Sequence, residues 1–129
     1  MKFTVDKHEK YVLLKLKEPR FTNDNAPGLK SELYLLNAEG FRNIIVDLSH
    51  VMECTDAQDL SSLLVGDRLC KAAGGSFIVT GVNDELAGII KLSNIFQSVT
   101  FVNKMDEATD LIFMEELERE FRGDSSDNA

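Results

Sequence analysis

Ile44-Ile45-Val46-Asp47-Leu48-Ser49, a short polar break, and then Asp56-Ala57-Gln58-Asp59-Leu60 form the stretch on which the reading of this chain turns. The apolar triplet at 44–46 predicts a strand buried on both faces, as central strands of a parallel sheet are. The strand ends in an acidic turn, and the helix that follows aims its N-terminus at that turn. Such an N-terminus has unpaired N–H groups and partial positive charge, so it suits a cap, an anion or a phosphorylated hydroxyl. The residues at 56–59 therefore decide whether the chain is a phosphate-controlled switch.

Outward from this stretch, Lys10 to Lys17 reads as a half-buried strand paired through a short turn with Phe3 to Asp6. In the first helix Asn25 is the expected N-cap and Pro27 sits in the first turn, where its missing N–H costs little. Ala26, Leu29, Leu33 and Leu36 share one face, and Gly40 ends the helix. The helix after the acidic turn spans about 57 to 73 and stops at Gly74-Gly75. Ser76 to Thr80 is another buried strand. A third helix starts from an Asn83 cap, turns Leu86, Ile89 and Ile90 inward, and ends at Asn94 in the left-handed conformation. Val99 to Val102 is the last strand, and the final helix covers about 105 to 121.

This alternation implies an α/β fold: a mixed sheet of four to five strands with a largely parallel centre, packed with about four helices. Residues 1–121 are expected to form one domain with an extended C-terminal helix, and 122–129 a disordered acidic tail. Two helices break the one-face rule. In the second, Leu60, Leu63, Leu64, Val65, Leu69 and Cys70 spread round the circumference, so it is either sandwiched or awaits a partner. In the last, Ala108, Leu111 and Ile112 form one stripe, while Phe113, Met114, Leu117 and Phe121 form another. The second stripe either wraps the same core or serves as a homodimer or partner face.

Composition removes several classes of function. With 129 residues, 43% hydrophobic and 28% charged, the chain reads as a soluble globular domain able to bury a core without staples. No apolar run approaches a membrane span, and Met1-Lys2-Phe3-Thr4-Val5-Asp6 does not read as a signal peptide. Cys54 and Cys70 are too few for a disulfide framework and are expected as free thiols in the cytoplasm. Residues 106–129 hold nine acids and two bases, a net −7 of the total −8, and the remainder is nearly neutral. No basic patch invites nucleic acid.

At this point strand, turn and helix resemble a STAS domain, the module named for sulphate transporters and anti-sigma factor antagonists. Asp47-Leu48-Ser49 is similar to the family's D-L-S, and Asp56-Ala57-Gln58-Asp59-Leu60 falls on its D-S-S-G-L after a connection one residue longer. Gly74-Gly75, Val82, Leu92-Ser93-Asn94-Ile95 (against L-S-G-L) and Glu107-Ala108 continue the match, which covers about residues 1–112. The resemblance implies a bacterial anti-sigma factor antagonist. Such proteins bind an anti-sigma factor that is also a serine kinase, and phosphorylation of the second serine of D-S-S-G-L breaks the complex. Here that position is Gln58, Ala57 replaces the first serine, Asp59 replaces the glycine, and Phe21-Thr22 stands where leucine–aspartate is usual.

Gln58 also has a structural explanation: Thr55-Asp56-Ala57-Gln58 fits a T-x-x-Q capping box, and Asp56 and Asp59 suit a positive helix end. Capping and docking are compatible readings. Asp59 as a mimic of the phosphorylated state ranks lower, since one carboxylate poorly reproduces a dianion with three acceptor oxygens. Thr55, Ser61 and Ser62 are the nearest hydroxyls that could accept phosphate instead.

An enzyme is poorly supported. His50 and Cys54 lie four apart in the loop, but no third group is tied to them. Histidines and cysteines show no metal-ligand spacing, and the glycines form no phosphate-cradling loop. The expectation is therefore a non-catalytic, cytoplasmic regulator of transcription, without cofactor or metal. It would bind a kinase-type anti-sigma factor or related regulator through Thr22, Asp24, Asp56, Ala57, Gln58, Asp59, Ser61 and Ser62, without phosphorylation at the usual site. The alternatives are a STAS subunit docking on a transporter or other ATPase complex, and a small-ligand sensor at the same helix N-terminus.

Overall fold

A computed structural model describes residues 2–22, 24–54, 60–93 and 95–127, with no side chains described from 123 onward. In chain order the elements are β1 (Phe3–Lys7), β2 (Val12–Leu16), β3 (Arg20–Phe21), α1 (Ala26–Ala38), β4 (Ile44–Asp47), β5 (Glu53–Cys54) and α2 (Ser62–Ala72). They continue with β6 (Phe77–Thr80), α3 (Asp84–Lys91), α4 (Ile95–Ser98), β7 (Thr100–Val102) and α5 (Met105–Asp127). The main sheet has five strands in the order β1-β2-β4-β6-β7. β1 and β2 are antiparallel and every other pair is parallel, so the expected mixed sheet with a parallel centre is what forms. Three elements carry no signal strong enough to read in the sequence: the parallel strands β3 and β5 and the four-residue helix α4.

The apolar runs of β4 and β6 divide residue by residue between two cores. Ile44, Val46, Phe77 and Val79 join the larger core with the buried leucines of α1 and α2. Ile45 and Ile78 point the other way, onto Ala108 and Ile112 of α5. An alternating strand with one wet face could not have this composition; both faces need a cover. The second helix is sandwiched, as one of its two readings required. It packs against α1, β6 and α4, with Leu60, Leu63 and Cys70 buried and Leu64 and Leu69 half-buried against the core.

The helix ends follow their chemistry, with one correction. Asn25 stands at the N-cap position of α1 but makes no side-chain cap hydrogen bond. Its Oδ1 accepts from the Thr22 N–H (2.8 Å) and its Nδ2 donates to the Arg20 carbonyl (2.8 Å), so it braces the preceding turn. Asn83 does cap α3, its Oδ1 accepting from the Leu86 N–H at 2.7 Å. Asn94, expected to end that helix, lies outside the described residues, and α3 closes at Lys91. Helix α2 ends in a paired bond: the Gly75 N–H donates to the Cys70 carbonyl (2.7 Å) and the Gly74 N–H to that of Lys71 (3.0 Å). Gly74 supplies the positive φ of 77° that this ending needs. Gly75 serves another purpose: a Cβ there would lie 1.8 Å from the Arg42 carbonyl oxygen.

Helix α5 runs past Phe121, where the sequence pattern ended it, to Asp127. A polar network fastens it to the N-terminal edge of the parallel strands. Arg42 donates to Glu116 through Nε (3.1 Å) and Nη2 (2.6 Å), Asn43 Nδ2 donates to the same carboxylate, and Arg119 Nη1 adds a bond at 3.2 Å. Asn43 itself is buried and also donates to the Lys10 carbonyl (2.9 Å) while accepting from the Ser76 N–H (2.9 Å). Burial opposes ionisation of Glu116, but the hydrogen bonds from Arg42 and Asn43 and the charges of Arg42 and Arg119 outweigh it and hold the carboxyl below its usual range.

Three outcomes follow for stability. Gly75→Ala forces Cβ against rigid backbone and should cost about 3 kcal/mol in urea unfolding. By contrast, Gly88→Ala in α3, with nothing within 4 Å of the new Cβ, should gain roughly 0.5–1 kcal/mol. Glu116→Gln should lose about 2 kcal/mol at pH 7. A lowered folded pKa contributes above the ordinary carboxyl range and is lost as pH falls through the folded value, so the gap between the wild type and E116Q should shrink as pH falls below the ordinary carboxyl range.

Candidate functional site

Strands β3 and β5 run parallel in the register Arg20↔Glu53 and Phe21↔Cys54. The carboxyl ends of β3 and β5, at Phe21 and Cys54, therefore lie side by side. Pro19 tightens this pairing, its carbonyl accepting from the N–H groups of Met52 (2.8 Å) and Glu53 (3.2 Å), and Arg20 pairs with Glu53. Asn83 clamps the same loop from the other side: its Nδ2 donates to the carbonyls of Val51 (3.2 Å) and Met52 (3.0 Å). One side chain thus caps α3 and holds the β4–β5 connection.

The Asp47-Leu48-Ser49 motif is structural. Asp47 Oδ1 accepts from the Ser49 N–H at 2.9 Å, Leu48 is fully buried, and its N–H donates to the Thr80 carbonyl at 2.9 Å. Gly81, with φ 79°, presses on this turn so closely that a Cβ would come 2.5 Å from Asp47 Oδ1. These bonds fix the loop entering β5, at the carboxyl ends of the parallel strands where α/β sheets commonly bind ligands or partners.

On this frame the residues expected at the contact divide into three groups. Asp24 and Ser61 are exposed, and Thr22 is half-buried with its Oγ1 accepting from the Asp24 N–H at 3.3 Å. Ser62 is buried, with no partner for its hydroxyl among the described residues, so it underlies the surface and does not line it. Asp56, Ala57, Gln58 and Asp59 lie outside the described residues, as do Thr55 and the expected capping box. The start expected near 57 falls in that same gap; the described α2 begins at Ser62, after tighter winding at Leu60 and Ser61. Met52, 60% exposed at this edge, went unnoticed in the sequence because an isolated methionine in a loop carries no periodicity.

Among the described residues, the two members of the candidate cysteine–histidine pair differ in exposure. Cys54 is buried within β5 while His50 is exposed. Burial, aided by the Asp67 charge, pushes the Cys70 thiol up to about 12, far from a reactive thiolate. Among the described residues no group of three or more His, Cys, Asp or Glu could hold a metal ion, and no helix is long and apolar enough to cross a membrane. A cleft of about 300 Å³ between α3, α4 and β7 is lined by Ile90, Phe96 and Phe101 together with Asp84, Lys91 and Asn103.

Comparison with known proteins agrees with this geometry. No curated protein sequence matches the chain. Among solved structures, an anti-sigma factor antagonist candidate from Thermotoga maritima is 20% identical, with a TM-score of 0.75, covering 85% of this chain and 93% of that one. RsbS from Moorella thermoacetica, bearing a serine-to-glutamate substitution, is 15% identical with a TM-score of 0.70, covering 92% and 99%. The anti-sigma factor antagonist SpoIIAA in its unphosphorylated form is 12% identical with a TM-score of 0.64, covering 84% and 94%. These likenesses concern the fold. The profile described as STAS domain matches residues 2–108, most of the chain, and the chain belongs to the STAS domain family.

Proposed function

We propose that this chain is a non-catalytic regulator that binds a kinase-type anti-sigma factor, or a related regulator, in the bacterial cytoplasm. It acts through the edge formed by the turn after β3 and the segment after β5. Thr22, Asp24, Asp56, Gln58, Asp59 and Ser61 border the contact, and the buried Ser62 supports it from beneath. The observation that carries the proposal is the β3–β5 register, which sets Phe21, just before Thr22, beside Cys54, the last described residue before 55–59. Family membership supports the class of partner, because several solved relatives are described as anti-sigma factor antagonists. Gln58 at the family's acceptor position supports control by abundance or competition in place of phosphorylation, because an amide cannot accept a phosphoryl group.

Recombinant kinase-type anti-sigma factor from the same genome tests both parts. With labelled ATP, the wild type should take up no phosphate, while Gln58→Ser should approach one phosphate per chain by intact mass spectrometry. Stoichiometric phosphate on the wild type, at Ser61 or elsewhere, would refute control without modification. By calorimetry, the double change Asp56→Ala with Asp59→Ala should weaken the complex roughly tenfold or more, about 1.4 kcal/mol. Unchanged affinity would place the docking surface elsewhere.

A further inference from the structure

We infer that the outer face of α5 is a second docking surface, built for a basic amphipathic helix of another protein and separate from the loop edge. Phe113, Leu117 and Phe121 stand at i, i+4 and i+8 with Met114 beside them, and their exposures are 49%, 55%, 68% and 64%. The opposite stripe of the helix, Ala108, Ile112 and Glu116, is buried against the sheet. The outer ridge therefore cannot turn inward without unseating α5 from Ile45, Ile78 and Arg42. The Phe113 ring meets Tyr11 edge-on at 6.2 Å between centroids, so the patch continues onto the rim of the sheet. Single exposed apolar side chains are ordinary, but four along one helix face form a contiguous patch of the kind that marks an interaction site. A ridge with i+4 spacing fits the groove of another helix.

Charge selects the occupant. At 100° per residue, Glu107 and Glu118 flank one side of the ridge, Glu120 flanks the other, and Asp110 continues its line toward the N-terminus. All four are exposed. Among the described ion pairs, Arg122 answers Glu118 at 3.3 Å and Lys10 reaches Glu120 only at 4.0 Å, while Glu107 and Asp110 face no cation. Arg119 is turned inward to Ser76, Glu115 and Glu116. A second copy would bring another segment of net −7 against the first. An anionic bilayer would be repelled for the same reason. A helix with an apolar ridge bordered by lysine and arginine satisfies both features of the face. Because α5 covers the side of the sheet opposite α1 and α2, such an occupant leaves the loop edge clear, and the chain can bridge two partners.

The test uses the full chain and two fluorescein-labelled helical peptides with the same leucine ridge, one flanked by lysine and arginine, the other by glutamate. In fluorescence anisotropy the basic peptide should bind in the micromolar range, and the acidic twin at least tenfold more weakly. Leu117→Gln should weaken the basic peptide roughly tenfold. Leu35→Gln, on the exposed face of α1, should change nothing, nor should the double change at Asp56 and Asp59, which keeps this test distinct from that of the loop edge. Circular dichroism checks that each variant is folded. Absent binding, equal binding of the two peptides, or equal effects of L117Q and L35Q would overturn the proposal. So would a dimer in sedimentation that L117Q dissolves, which would make a second copy the occupant.

Discussion

Burial of β4 and β6 on both faces is the constraint from which the rest of the molecule follows. Ile44 and Val46 feed one core and Ile45 the other, and Phe77, Ile78 and Val79 repeat the division one strand over. Neither face can be left to water without exposing branched apolar side chains, each worth about 1.5–3 kcal/mol when fully buried. Helices α1 to α4 close one face and α5 alone closes the other. Helix α5 contributes a narrow apolar stripe, Ala108 and Ile112 with Met105 and Leu111 packed beside them, and the Arg42, Asn43 and Glu116 network also holds it in register. That network sits at the N-terminal edge of the parallel strands and leaves the C-terminal edge free for loops.

At the C-terminal edge the backbone is held by many small bonds. Asp47 closes its own turn, Asn83 both caps a helix and grips the β4–β5 loop, and Pro19 receives two N–H groups from the chain entering β5. Each bond is modest, at about 1 kcal/mol, but together they fix the direction in which the chain enters 55–59. A regulatory surface needs such a frame, since affinity falls when a partner must also order the loop it binds. The family's short D-L-S motif is accordingly a piece of scaffold placed next to the site.

Helix α5 serves two environments. Its inner stripe packs on the sheet and its outer ridge is exposed, and the acids concentrated in residues 106–129 give that ridge a charge the body of the domain lacks. With the two proposed surfaces, a loop edge at one end and an acidic helical ridge across the back would let the domain connect two partners. The two surfaces share no residue.

How much of this was legible in the sequence depended on the range of the interaction. Periodicity and short-range chemistry revealed the buried strand pattern, the glycine endings at Gly40 and Gly74 and the Asn83 cap, because each is written in neighbouring residues. The order of motifs was enough to indicate a STAS domain. Only the tertiary structure decided that Asn25 braces a turn and caps nothing, that Ser62 is buried, that β3 pairs with β5, and that the second stripe of α5 faces outward. Those outcomes depend on which distant segment arrives alongside, as Arg42 does for Glu116 and Thr22 for the end of β5. No local pattern encodes contacts made across the fold.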